Sequence, residues 1–126
     1  MAASFGLSDV FSRTFTANEA LSKHDAVVLL SSGNVEAADG AGDLVLGFAS
    51  RDAASGEEVS VRLLGAPSNN AVANGSINVG AEVFPSTTAG RVSATGTPGT
   101  HPVLGVALTA SSGNGDTIVI ASAAAV

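Results

Sequence analysis

Apolar and polar positions along this chain fall into short runs broken by turn residues, and the runs recur. "DAVVLL" (Asp25–Leu30) precedes the turn "SSGN" (Ser31–Asn34), and "LVLGFAS" (Leu44–Ser50) follows the loop "ADGAGD" (Ala38–Asp43). In "EVSVRLL" (Glu58–Leu64) Val59, Val61 and Leu63 alternate with Ser60 and Arg62, the period of a strand with one buried face. A Gly-, Asn- and Pro-rich stretch, "GAPSNNAVANGS" (Gly65–Ser76), then reads as a joint. Helix is expected for at most a turn or two near either end.

Beyond that joint the pattern is replayed. "INVGAEVFPS" (Ile77–Ser86) stands where "LSKHDAVVLLS" (Leu21–Ser31) stood, and "AGRVSA" (Ala89–Ala94) answers "SGNVEA" (Ser32–Ala37). "VLGVAL" (Val103–Leu108) answers "VLGFAS" (Val45–Ser50), and "NGDTIVI" (Asn114–Ile120) answers "SGEEVSV" (Ser55–Val61). The offset drifts only from 55 residues (Ala26 with Ala81) to 59 (Val61 with Ile120). Four matches in the same order indicate an internal duplication. In each copy the glycine-containing strand has apolar residues on both faces: Leu44, Leu46 and Phe48 against Val45, Gly47 and Ala49, then Leu104, Val106 and Leu108 against Val103, Gly105 and Ala107. Such strands are expected to be buried on both sides. Gly47 and Gly105 suit a barrel corner or a close backbone approach. The expected architecture is all-β: a small antiparallel β-barrel or sandwich of two related halves, about 21–64 and 77–121, within a domain over 16–126.

Residues 1–15 read differently, as an extended N-terminal arm. Three of the five phenylalanines stand here, in "SFGLSDVFSRTF". Phe5, Leu7, Val10, Phe11 and Phe15 are the candidate partner-contact residues; Leu7, Val10 and Phe11 also share helical spacing. An arm reaching onto a larger assembly or a neighbouring subunit, packing on the chain's own barrel, a strand of the domain and a frayed terminus are the alternatives.

Composition narrows the partners. Apolar residues make up 45 % of the chain but aromatics only 4 %, so the core is one of Val, Leu, Ile and Ala. Such a core stabilises less per residue than one anchored by rings, and burial against other chains is expected to add to it. The net charge is −6, and the five basic residues are scattered (Arg13, Lys23, Arg51, Arg62 and Arg91). That disfavours nucleic acid and anionic membrane surfaces. Nine of the eleven carboxylates precede residue 64, leaving a second half nearly free of charge, as in a surface that packs against something. Cys is absent, which excludes disulfides and thiolate metal sites. Without a signal-peptide pattern or a long apolar run, synthesis in a cytoplasm is expected.

The residues give no catalytic site. Gly-x-Ser-x-Gly is absent. His24 and His101 stand in turn-like contexts without partners at ligand or base spacing. "ADGAGD" lacks the ligand set of an EF-hand and reads as a turn. Gly40/Gly42 and Gly113/Gly115 lack the strand–loop–helix context of a phosphate loop, and "NGS" at Asn74–Ser76 reads as a turn. No catalytic residue, metal site or cofactor is expected, and function should lie in the surfaces.

Ser76–Ile120 resembles the capsid decoration, or cement, proteins of tailed bacteriophages. The residues that carry the likeness are Gly80–Phe84, Gly90–Val92, "GVAL" at Gly105–Leu108 and the Gly-Asp turn into the strand Gly115–Ile120. The first half is similar more loosely, with Phe48 and Ser50 in place of the Val and Leu of "GVAL"; the likeness spans about Thr14–Ala121. It implies a β-rich structural protein that binds the outer surface of an assembled phage head, contacts the major capsid protein, often as a trimer, and stabilises the shell without catalysis. The alternative is another virion part: a head fibre base, a tail component or a carbohydrate-binding module. The absence of Trp and Tyr disfavours the last of these.

Overall fold

The computed structural model describes residues 11–97 and 99–122, where ten short strands form two five-stranded antiparallel sheets. The first half holds β1 (Ser12–Thr16), β2 (Ala26–Leu29), β3 (Val35–Ala37), β4 (Gly47–Ala49) and β5 (Glu58–Leu63), in the order β1-β5-β4-β2-β3. The second holds β6 (Ser68–Val72), β7 (Glu82–Pro85), β8 (Val92–Ser93), β9 (Gly105–Ala107) and β10 (Thr117–Ser122), in the order β6-β10-β9-β7-β8. Each strand of one sheet has its counterpart at the same place in the other. The all-β architecture of two related halves is the one expected from the sequence.

The equivalence reaches single residues. Gly47 stands opposite Leu63 and Val27, and Gly105 stands opposite Ser122 and Val83. A Cβ on Gly47 would run into the carbonyl oxygen of Arg62, and one on Gly105 into that of Ala121. The shared glycine lets two strands approach where a side chain would force them apart. Register now runs from Ser12 with Ser68 to Glu58 with Thr117, so the offset grows from 56 to 59 residues.

The stretch expected to be a joint contains β6, the counterpart of β1. "SNNAV" is too polar to advertise a strand. Its buried residues are Asn69 and Ala71, and the Asn69 amide donates to Leu63 O (3.3 Å) and Ser122 Oγ (2.8 Å). Partners supplied by tertiary structure, not side-chain hydrophobicity, make this segment a strand.

Each sheet curls until its edges meet. Ala17 bridges Val35 in the first half, as Ala73 bridges Val92 in the second, and Asn18 N and Asn74 N donate to the same two residues' carbonyls, each at 2.7 Å. Each half therefore closes around its own core. Leu21, Val27, Val35, Ala49, Val59 and Val61 fill the first; Ile77, Val83, Val92, Ala107, Ile118 and Ile120 fill the same places in the second.

The halves are joined asymmetrically. From the outer face of the first sheet, Ala26, Ala38, Val45 and Phe48 merge into the second half's core cluster. Phe48 is 2 % exposed, whereas its counterpart Val106 is 39 % exposed. The expectation that both glycine strands are buried on both faces therefore holds for β4 and fails for β9. Half two covers half one's outer face, while within the described residues its own outer face is left open. Leu44 also departs from expectation, at 81 % exposed. The Asp43 carboxylate accepts from Asp39 N (2.9 Å) and Gly40 N (3.0 Å), and this tight loop turns Leu44 outward before β4 begins.

Candidate interaction surfaces

Of the five candidate contact residues, Phe5, Leu7 and Val10 lie outside the described residues. Phe15, in β1, packs partly buried against the first half's core. The Phe11 ring centroid lies 5.8 Å from the Arg62 guanidinium carbon, within cation–π range. Arg62 Nε also donates to Ser68 O (3.1 Å), which places Phe11 close to the seam between the halves.

That seam is built from backbone as well as apolar contact. The β7–β8 hairpin inserts Gly90 between two first-half residues: Ala26 N donates to Gly90 O (2.9 Å), and Gly90 N donates to Ala38 O (2.7 Å). Gly90 has φ +77°, and a Cβ there would collide with the Asp25 carboxyl. Burial under this hairpin pushes the Asp25 carboxyl above the ordinary carboxylate value, with Ser22 N and the Arg91 charge acting in opposition. His24, beside it, is held below the usual histidine value by burial and then by Lys23. His24 adopts φ +71° where the second half has Gly80 at +87°.

A cleft of about 400 Å³ opens at the seam between Ala41 of the first half and Asn74, Pro85, Ser86, Thr95 and His101 of the second. His101 is the titratable side chain in its wall. Its Nδ1 accepts from Thr97 N (2.8 Å), so that nitrogen closes the 97–101 loop and is not free to act as a base. Ser86 Oγ is likewise bound, to Asn74 Nδ2 at 2.6 Å and Thr88 N at 3.0 Å. Among the described residues, no group of three or more His, Cys, Asp or Glu side chains is placed to hold a metal ion. Asp39 and Asp43, the acidic pair of "ADGAGD", make the loop described above.

What stands out on the surface is apolar. Val79 (64 % exposed), Leu108 (51 %) and Val106 belong to the second half, and Leu29 (49 %) ends β2 in the first. Exposed aliphatic side chains mark interaction sites where they are contiguous, and three of these four lie on one half.

A family model of phage cement proteins matches residues 8–122. The chain belongs to the phage cement protein family. The match covers both halves and begins ahead of β1, so it extends the likeness legible at about Thr14–Ala121. This cement-family chain is also similar in fold to the N base of head fiber gp8.5 in bacteriophage phi29, with a TM-score of 0.67 and 19 % identity over 89 % of this chain and 92 % of that one. Among curated protein sequences, none matches significantly. The role that follows for this cement-family protein is structural and capsid-associated, as a component of the virion.

Proposed function

We propose that the protein binds the outer surface of an assembled phage head through the major capsid protein, acts there as a trimer, and stabilises the shell. The observation that carries this reading is the family match across nearly the whole chain. The physical case is avidity. A closed oligomer tethers its second and third shell contacts at high effective concentration once the first is made. Binding the assembled shell in preference to free subunits then stabilises the shell by mass action, about 2.7 kcal/mol per site at a hundredfold excess over Kd. The segment ahead of β1 supplies part of the contact through Phe5, Leu7 and Val10, with Phe11 and Phe15 fixing its root to the first half.

Co-sedimentation of purified protein with undecorated shells tests the binding, and thermal melting of decorated against bare shells tests the cementing. Decorated shells should melt higher. Equal melting temperatures with intact binding would overturn cementing and favour a head fibre base, the reading suggested by the likeness to the gp8.5 N base. Deleting Met1–Val10, which leaves β1 whole, should weaken shell binding without lowering the protein's own melting temperature. Unchanged binding would remove the arm from the contact.

A further inference from the structure

The duplication supplies a template for an interface. Within one chain, the outer face of the first sheet receives the second half's β7–β8 hairpin and lies against β6, with Phe48 and Ala26 at its centre. The equivalent face of the second sheet carries Val106 in place of Phe48 and Ala121 in place of Arg62, as the shared pairing shows (Phe48 with Arg62, Val106 with Ala121). Among the described residues that face is exposed.

Its composition is the reverse of what solvent selects. Around Phe48 the first half has Lys23, Ser50, Ser60 and Arg62; the same positions in the second half are Val79, Leu108, Val119 and Ala121. Backbone bonds confirm these equivalences: Ser50 N to Ser60 O matches Leu108 N to Val119 O, and His24 N to Ala49 O matches Gly80 N to Ala107 O. Four polar residues have become apolar on the open face, where water would favour the opposite, against one change the other way, Glu82 in the place of Ala26.

The matching hairpin is uncovered as well, with Gly33 N held inside its own turn by Leu30 O (2.9 Å) and Gly33 O left to repeat the Gly90 O contact. The first half's β2–β3 hairpin has Gly33 at φ +92° where the second half's has Gly90 at +77°. Gly90 is packed against Asp25, whereas nothing lies within 4 Å of a Cβ built on Gly33. Leu29, half exposed, stands where Pro85 is buried. The charged residues differ as well: Asp25 and Arg91, on the two sides of the internal seam, have Ala81 on the open face and Asn34 on the open hairpin as their counterparts. Ala81 and Asn34 bring no charge to the contact; Glu82, exposed beside Val106 where Ala26 stands beside Phe48, does.

We propose that the β2–β3 hairpin of one copy docks on the outer face of the second sheet of another copy, repeating between chains the joint that links the halves within each. The contact is heterologous, so it propagates head to tail until a ring closes. Within a chain, β6 begins a few residues after β5 ends. Between chains, β1 of the incoming copy takes the place of β6 at the end of β10. The inference rests on the duplication and stands apart from shell binding.

Sedimentation velocity of the full chain without shells, up to about 1 mM, tests it. The wild type should associate, and Leu29→Asp and Val106→Asp should each remain monomeric. Because both side chains face solvent, each variant should melt close to the wild type. If Val106→Asp fails to fold, Leu108→Asp takes its place. An equimolar mixture of Leu29→Asp and Val106→Asp should form dimers and nothing larger, since it restores one intact face and one intact hairpin. A wild type that stays monomeric overturns the proposal, as does a Leu29→Asp variant that self-associates like the wild type. Loss of shell binding by Val106→Asp, with a monomeric wild type, would assign the face to the capsid protein instead.

Discussion

Replacing Phe48 with alanine removes the largest side chain that crosses between the halves. The ring is 2 % exposed and sits among Ala26, Val45, Ala71 and Leu104 in one cluster. An aromatic side chain buries roughly 150–250 Å². At about 25 cal/mol per Å², less the share already buried in the unfolded chain, the lost transfer energy is roughly 2–5 kcal/mol. The residual cavity adds to this, and measured Phe-to-Ala changes in cores cost about 3–5 kcal/mol. For a chain of this length each kcal/mol lowers Tm by about 4 °C, so the expected fall is about 12–20 °C. Urea denaturation followed by circular dichroism gives the free energy directly, and calorimetry gives Tm. Should Phe48→Ala leave too little folded protein, Phe48→Leu should lose a smaller but measurable part. The equivalent Val106→Ala, on the open face, should stay within about 0.5 kcal/mol of the wild type. A Phe48→Ala loss below about 1 kcal/mol, or equal losses for the two variants, would refute the asymmetric joint.

Gly47→Ala and Gly105→Ala should each cost about 1–3 kcal/mol, because the added Cβ meets a backbone carbonyl that cannot rotate away; Gly42→Ala, with open space around it, should be close to neutral by chemical denaturation. Asp25 has its folded pKa raised, so the folded state binds its proton more tightly than the unfolded chain and stability falls as pH rises from the ordinary carboxylate value through the raised one. Asp25→Asn should therefore be more stable than the wild type at neutral pH and should flatten that part of the pH profile, read by thermal melts across the acid range. Asp116 behaves in the opposite sense: hydrogen bonds from Ser112 N (3.0 Å) and Ser112 Oγ (3.1 Å) hold its carboxyl below the ordinary value, so its contribution is present above that value and lost as pH falls through the depressed one. Asp116→Asn should remove this acid-side loss, and an unchanged profile in either variant would contradict the assignment.

Local chemistry alone made much of this protein legible. Turn glycines, two-residue alternation and the paired "VLG" phrases determined two copies of one antiparallel unit, because strand period and left-handed turns depend on neighbours in the chain. The role of Gly47 and Gly105 was readable for the same reason: a glycine inside an apolar strand marks a place where no Cβ fits. A repeated Ala-Asn, Ala17–Asn18 and Ala73–Asn74, could have extended each copy to include β1 and β6, but polar edge strands give little hydrophobic signal. Tertiary structure alone decided which equivalent positions meet water. Phe48 and Val106 occupy one place in one repeated strand, yet the first is enclosed and the second open, because two copies joined head to tail leave one face and one hairpin without the other half against them. Asn69 is a strand residue because β6 pairs with β10, and its buried amide is held across the fold by Leu63 and Ser122. Sequence period determines the unit; the way two units bury unequal faces is a property of their contact, and no local pattern encodes it.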